Sequence, residues 1–448
     1  MQLFDELGRL VEQRWRNKNY NEAVFPEIAE QTLLELNVRE RVDAWEIMRC
    51  LHTGMDLPGQ RGDSFSDLPV TLYAGPRFVI DVYFWLDGTT SIHQHSFSGA
   101  FQVLLGSSLH SLYTFKPEQE INEHFSAGQV RLREVQVLES GDVRKILPGR
   151  QFIHSLFHLD RPSATITIRT HQTPSALPQH NYLKPYLAHN PFFKEQSALK
   201  KARSVILLLR MKHPEAHTFI SELIASSDFQ TAFMVITAAF EALVDNNRGA
   251  ASQLKDGEEK PDVLQDDWEC FHQLLETAHR RHGNLVNLLP AVLGEMQREK
   301  ALIDLRGRMT DSEHRFFLAL LLNVPHRQLV LDLLKQRFPH REPIDIVCGW
   351  VDEFSHMKSA GSSEQNVLGM TRFSDAHQLI LRHLLDGLSP DQIKHVFKKD
   401  YSGTNAESHA DFDQLYRSLQ SSVLLKSLLF GSPSALDNEC RIEARATG

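Results

Sequence analysis

The sequence predicts a multidomain α+β chain: N-terminal helices, a small antiparallel β-barrel, then a large all-α domain of helical hairpins. Three observations carry that prediction. Apolar residues recur at helical spacing up to about residue 60, and short β-type runs replace them between Pro69 and Thr170. Helical spacing returns from Ala198 onward. Breakers mark both changes: Gly54, Pro58, Gly59 and Gly62 at the first, Pro174, Pro178 and Pro185 at the second.

Residues 1–62 form the helical lead-in, with Leu3, Leu7, Leu10 and Val11 on one stripe and Ile28, Leu33, Leu34 and Leu36 following Pro26. Its start reads as an acidic amphipathic helix rather than a signal peptide. Residues 63–175 hold seven runs of strand type separated by Gly, Pro or Asp turns, among them Phe78 to Trp85, Leu109 to Phe115 and Ala164 to Thr170. Short strands at such intervals suggest a sandwich or small barrel. Residues 176–196 read as a linker, 197–430 as the all-α domain and 431–448 as a flexible tail. Inside the α region, 311–338 and 374–401 align without a gap at an offset of 63, each a helix, a Pro-containing turn and a second helix. Two copies fall short of a solenoid and read as a duplicated hairpin.

Composition excludes several classes. With 448 residues, 42% of them hydrophobic and 23% charged, the chain has material for a core and is neither disordered nor collagen-like. The net charge of −9 divides into −5 over residues 1–175 and −4 over the rest. No basic patch is set apart to neutralise phosphates, so nucleic acid is not an expected partner. No apolar run approaches the ~18 residues of a membrane span. Cys50, Cys270, Cys348 and Cys440 are scattered without a Cys-x-x-Cys pair, which fits a reducing, cytoplasmic location.

Histidine occurs 23 times, and placement matters more than number. In the run from Gly88 to Gly106, His93 and His95 stand two apart, which on a strand places both imidazoles on one face. A second run from Gly141 passes through Pro148 and Gly149 and ends at His154. A Pro-Gly turn feeding a strand brings His154 back beside the first pair. Three neutral imidazoles suit iron, zinc, copper or nickel.

These two runs resemble the paired motifs of the cupin superfamily, whose fold is a double-stranded β-helix barrel. The first contributes His-x-His and a closing glycine; the second contributes Gly, Pro-Gly and the third His. Most cupins carry a glutamate four residues after the second His, where this chain has Gly99. That departure resembles the thiol dioxygenases, the cysteine and mercaptopropionate dioxygenase family, which hold Fe(2+) on three His without a carboxylate. The likeness covers about residues 65–175, and no family is recognised in the helical region. It implies His93, His95 and His154 as metal ligands, with Zn, Ni or Cu as other candidate ions. It implies a non-heme Fe(II)-dependent oxygenase acting on O2 and a small, acidic, thiol-containing molecule.

Counting on from His154, the residues matching that family's Ser, His and Tyr are Thr167, Arg169 and His171. Thr167 and His171 become the catalytic candidates. Arg169 becomes a fork for a substrate carboxylate, and Arg77 is the nearest match for an upstream carboxylate-binding arginine. His110 and His158 are candidates to support the ligands through hydrogen bonds. Two alternatives stand beside the oxygenase. One is a metal-binding cupin sensor or interaction protein that signals, dimerises or binds a protein partner through its helical domain. The other is a metal-dependent isomerase or lyase on the same barrel.

Overall fold

Phe4, Leu7, Val11 and Trp15 fall on one stripe, and Gln2–Arg16 forms helix α1 with that stripe buried. The computed structural model describes residues 2–53, 57–62, 65–173, 176–253, 263–359, 364–401, 411–429 and 441–442. After α1 come Phe25–Glu35 (α2), Val38–Arg41 (α3) and Ala44–Thr53 (α4). Eleven strands follow: Leu68–Ala74 (β1), Phe78–Trp85 (β2), His93–Gln94 (β3), Gly99–Leu105 (β4), Ser108–Asn122 (β5), Phe125–Leu138 (β6), Val143–Ile146 (β7), Ile153–His158 (β8), Ser163–Thr170 (β9), Asn181–Leu183 (β10) and Leu187–His189 (β11). The remaining helices are Gln196–Arg210 (α5), Ala216–Ser226 (α6), Phe229–Gln253 (α7), Val263–His282 (α8), Leu289–Arg306 (α9), Ser312–Asn323 (α10), Arg327–Arg337 (α11), Pro343–Ser355 (α12), Asp375–Leu385 (α13), Pro390–Tyr401 (α14), Phe412–Ser421 (α15) and Lys426–Leu429 (α16). Of the expected tail, Arg441–Ile442 (β12) pairs in parallel with β6, and the rest lies outside the described residues.

The expected closed barrel is not seen. The strands divide into a five-stranded sheet, in the order β1-β2-β9-β4-β7, and a seven-stranded sheet, in the order β11-β10-β3-β8-β5-β6-β12. Apart from β12, their ladders are antiparallel. The inner faces meet through side chains: Phe101, Val103 and Ile146 from one sheet pack with Leu112, Leu138 and Leu156 from the other. The stretch 176–196, read as a linker, carries the hairpin β10–β11 and joins the seven-stranded sheet, Asn181 lying opposite His93. Its three prolines had masked two short strands.

Alternation decides what covers each outer face. Ile80, Val82, Ile166 and Ile168 of the five-stranded sheet turn outward onto Leu7, Phe25 and Leu33 of the lead-in helices. Leu109, Val135 and Phe157 of the other sheet turn outward into a cluster with Phe316, Phe317 and Leu320 of α10. The helical region therefore shares its core with the sheet. The aligned segments 311–338 and 374–401 are the hairpins α10–α11 and α13–α14, begun by Asp311 and Ser374 side chains at the helix starts.

At the β1 edge, Gln60 closes the ladder: its amide nitrogen donates to Thr71 O at 3.0 Å and its amide oxygen accepts from Thr71 N at 3.0 Å. The β1–β2 register shifts between Thr71 and Tyr73, so this clamp sits on a bulge.

Candidate metal centre

His93 lies directly opposite His154 across the β3–β8 ladder, and His95 follows two residues on, held by the Gly149 amide donating to His95 O at 2.8 Å. Gly149 adopts φ +65°, which the turn after Pro148 requires and glycine permits. This turn returns β8 to β3, and it is why histidines separated by almost sixty residues meet. One donor nitrogen from each of His93, His95 and His154 lies within 4.8 Å of the other two. All three side chains are buried, at 2%, 6% and 3% exposure.

The tautomer of His93 is set by the backbone: with Ser91 O 2.7 Å from Nδ1, that nitrogen carries the proton. Its Nε2 is then a bare lone pair, buried without a hydrogen-bond partner. His95 Nε2 and His154 Nε2 face each other at 2.9 Å. Two nitrogens bound at about 2.1 Å to one ion and at right angles would stand about 3.0 Å apart, against about 3.4 Å for a tetrahedral pair. Behind His154, His110 Nε2 lies 3.1 Å from Nδ1, and Gln136, held by Arg144, approaches His110 from the far side at 3.4 Å. A ligating imidazole braced at its second nitrogen is the usual pattern of metal sites.

Burial keeps these rings uncharged. It holds His93 at about 4 and His110 at about 3, and it drives His95 and His154 well below the ordinary histidine value, the neighbouring histidines adding to the effect on the last two. The three ligand imidazoles are therefore in the neutral form that metal binding needs near pH 7. Phe97 stands 4.5 Å from His95 and Phe152 4.5 Å from His154, centroid to centroid, which excludes water from the donors. An orphaned lone pair, facing nitrogens and an all-neutral donor set fit a divalent transition metal.

Among the described residues, no carboxylate joins the cluster. At Gly99, which lies opposite Arg169 in the β4–β9 ladder, an added Cβ would collide with the Ile168 carbonyl and the Arg169 backbone. The glycine is a packing requirement, and it rules out the acidic side chain that the cupin pattern places at this position.

Arg169 and Thr167 are both buried on β9, on the face opposite Ile166 and Ile168, and so turn toward the space between the sheets. Arg169 is already engaged there. Its NH2 lies 3.0 Å from Asp81 Oδ2, its Nε donates to the Tyr83 hydroxyl at 3.3 Å, and its guanidinium covers the Phe97 ring at 5.1 Å. Asp81 also accepts from Thr71 at 2.8 Å and Tyr83 at 3.1 Å. The cation expected to receive a substrate carboxylate thus has an internal carboxylate beside it.

His171 and Arg77 are not brought to the cluster. The β9 strand ends at Thr170, so alternation ceases and His171 turns outward, its Nε2 3.0 Å from Gly75 O and its Nδ1 3.3 Å from Arg61. Arg77 is exposed on the β1–β2 turn and stacks on Tyr20 at 4.1 Å. Of the two supporting candidates, His110 touches a ligand and His158 does not. His158 Nδ1 meets Ser108 and Ser163, each at 2.9 Å, and its ring stacks on Trp85 at 4.5 Å. Tyr83, which the sequence suggests as a packing group, also makes polar contacts, and Asp81 was missed, although an aspartate inside the run Phe78-Val-Ile-Asp-Val-Tyr-Phe-Trp was the available signal.

No family model matches this chain, and no curated protein matches it. Among solved structures, Peruvianin-I, a cysteine peptidase from Thevetia peruviana latex, is similar over 29% of this chain and 74% of its own, with 17% identity and a TM-score of 0.19. At that score the likeness carries no weight for fold or function.

Proposed function

We propose that this chain is a cupin-type, non-heme Fe(II)-dependent oxygenase acting on a small thiol, with His93, His95 and His154 as the metal ligands. The supporting observation is a buried set of three uncharged imidazoles in a site where Gly99 excludes a carboxylate. His93, His95 and His154 would hold a ferrous ion without neutralising its charge, and that ion would supply the redox chemistry for oxygen and a thiol. The protein's own groups then orient the substrate. Phe97 and Phe152 keep the donors dry, while Thr167, Tyr83 and the Arg169–Asp81 pair supply polar contacts on the facing sheet. With Asp81 offsetting Arg169, selection for an acidic substrate is weaker than a lone arginine would impose, so thiols without a carboxylate belong among the substrates.

A second reading, a metal-binding sensor that signals through its helices, is favoured by the direct hydrogen bonds between α10 and the strand carrying His154. Metal analysis of protein purified without chelator, followed by oxygen-uptake assays over a panel of thiols, separates the two. Iron together with thiol-dependent oxygen consumption supports the oxygenase. Tightly held zinc and no consumption with any thiol sinks it in favour of the sensor.

A further inference from the structure

We propose that Asn323 on α10 is a positioning residue for the three-His centre, acting from outside the sheet through β8; this rests on the metal-binding reading above. From Arg315 to Asn323 every residue of α10 is buried. The amide of Asn323 has a fixed orientation, because its nitrogen donates to Ala319 O at 2.9 Å one turn back. Its oxygen consequently faces the sheet and accepts twice, from the Tyr113 hydroxyl of β5 at 2.9 Å and from the Ser155 hydroxyl of β8 at 3.1 Å. Ser155 is the residue after His154. Alternation sends its side chain out to the helix while His154 turns inward to the donors.

The other end of α10 grips the other end of the same strand. Arg315 donates to His158 O through Nε at 3.2 Å and NH2 at 3.0 Å, and to Leu86 O at 3.3 Å. Eight residues of helix span about 12 Å. Three residues of strand, from Ser155 to His158, span about 10 Å. The two grips therefore match the strand in length, and β8 is held against sliding along its axis.

The C-terminal carbonyls of α10 tie the helix to the β10–β11 hairpin, which pairs with the other ligand strand. Lys184, at the β10–β11 turn, donates to Leu322 O at 2.7 Å, and Arg298 of α9 donates to Leu321 O. These are groups a helix end leaves without internal partners. Lys184 is itself held by Glu295 at 3.3 Å and Glu299 at 3.2 Å. Strand β10 pairs with β3 at His93. One buried helix thus fixes both ligand-bearing strands, and Asn323 is its contact nearest to a ligand.

The test is anaerobic titration of the full-length chain with Co(II), whose visible absorption reports ligand geometry. Asn323→Leu should weaken cobalt binding about tenfold, the lower end of what loss of a supporting contact does to metal affinity, and should alter the absorption bands. Ser155→Ala should shift affinity in the same direction, and adding it to Asn323→Leu should change little further, because the Ser155–Asn323 hydrogen bond is already lost in Asn323→Leu. Leu381→Ala, a cavity in the same helical cluster, should lower the melting temperature while leaving cobalt affinity unchanged. Wild-type affinity and spectrum in folded Asn323→Leu, or equal weakening by Leu381→Ala, would overturn the proposal. If Asn323→Leu does not fold, Ser155→Ala and Tyr113→Phe decide: unchanged cobalt binding in both overturns it. Absence of cobalt binding by the wild-type chain overturns the metal reading and this inference together, whereas binding by wild type with indifferent variants overturns this inference alone.

Discussion

Acid should unfold the metal-free chain well above the pH at which its carboxylates protonate. In the unfolded chain each imidazole takes up a proton as the pH falls through about 6.5. In the folded chain burial delays this to about 4 for His93 and about 3 for His110 and His158. Between those limits the unfolded state binds more protons, so stability present above pH 6.5 is lost as the pH falls. One pH unit is worth about 1.4 kcal/mol per group, so each of the three gives up about 2 kcal/mol by pH 5. Their sum, about 6 kcal/mol, is comparable with the whole stability of many domains. The assay is urea denaturation at pH 7, 6 and 5 with a chelator present. His158→Gln should make the acid slope shallower by the share of one buried histidine among several, while keeping a polar group for Ser108 and Ser163. A midpoint that stays constant from pH 7 to 5 would refute the reasoning, as would an unchanged slope in His158→Gln.

Gly99→Ala should destabilise the fold by at least ~2 kcal/mol, since β9 must shift to admit a methyl group; a melting temperature equal to wild type would show that the strands can part. Asp81→Asn removes the buried carboxylate charge beside Arg169 and should lose about 3–5 kcal/mol in a denaturant titration. A loss under 1 kcal/mol would mean the guanidinium has adequate alternative partners. His154→Ala should abolish stoichiometric metal binding, whereas His171→Ala and Arg77→Ala should retain it, as measured by elemental analysis. Full occupancy in the His154 variant would remove it from the ligand set.

What the sequence made legible was local. A spacing of two on a strand carries His93 and His95 to one face whatever the rest of the chain does, and a Pro-Gly turn announces a return toward them. The exact pairing of His93 with His154 depends on register, and β3 is only two residues long, so no pattern in the sequence displays it. His171 shows the opposite failure. Counting alternate residues assumes a strand that continues, and the chain leaves the sheet after Thr170. Alternation along β9 is enough to turn Arg169 inward, but its pairing with Asp81 is not legible, because Asp81 belongs to another strand and their meeting is a tertiary fact. The role of α10 was hidden for the same reason: Asn323 is one polar residue at the end of a leucine-rich helix, and only the fold puts it behind His154.

The Gln60 clamp on Thr71 has a consequence for solubility. An edge strand presents unpaired amides and carbonyls that invite a strand from another molecule. Here a side chain has taken up both backbone groups of Thr71, and the bulge beside it spoils the repeat that an incoming strand would follow. The opposite edge, β7, is four residues long, and Lys145 there pairs with Glu27 and Glu30 of α2. Both margins of the five-stranded sheet are thus obstructed against templated growth. Gln60→Ala would unblock one of them, leaving a border on which a strand from another molecule could pair.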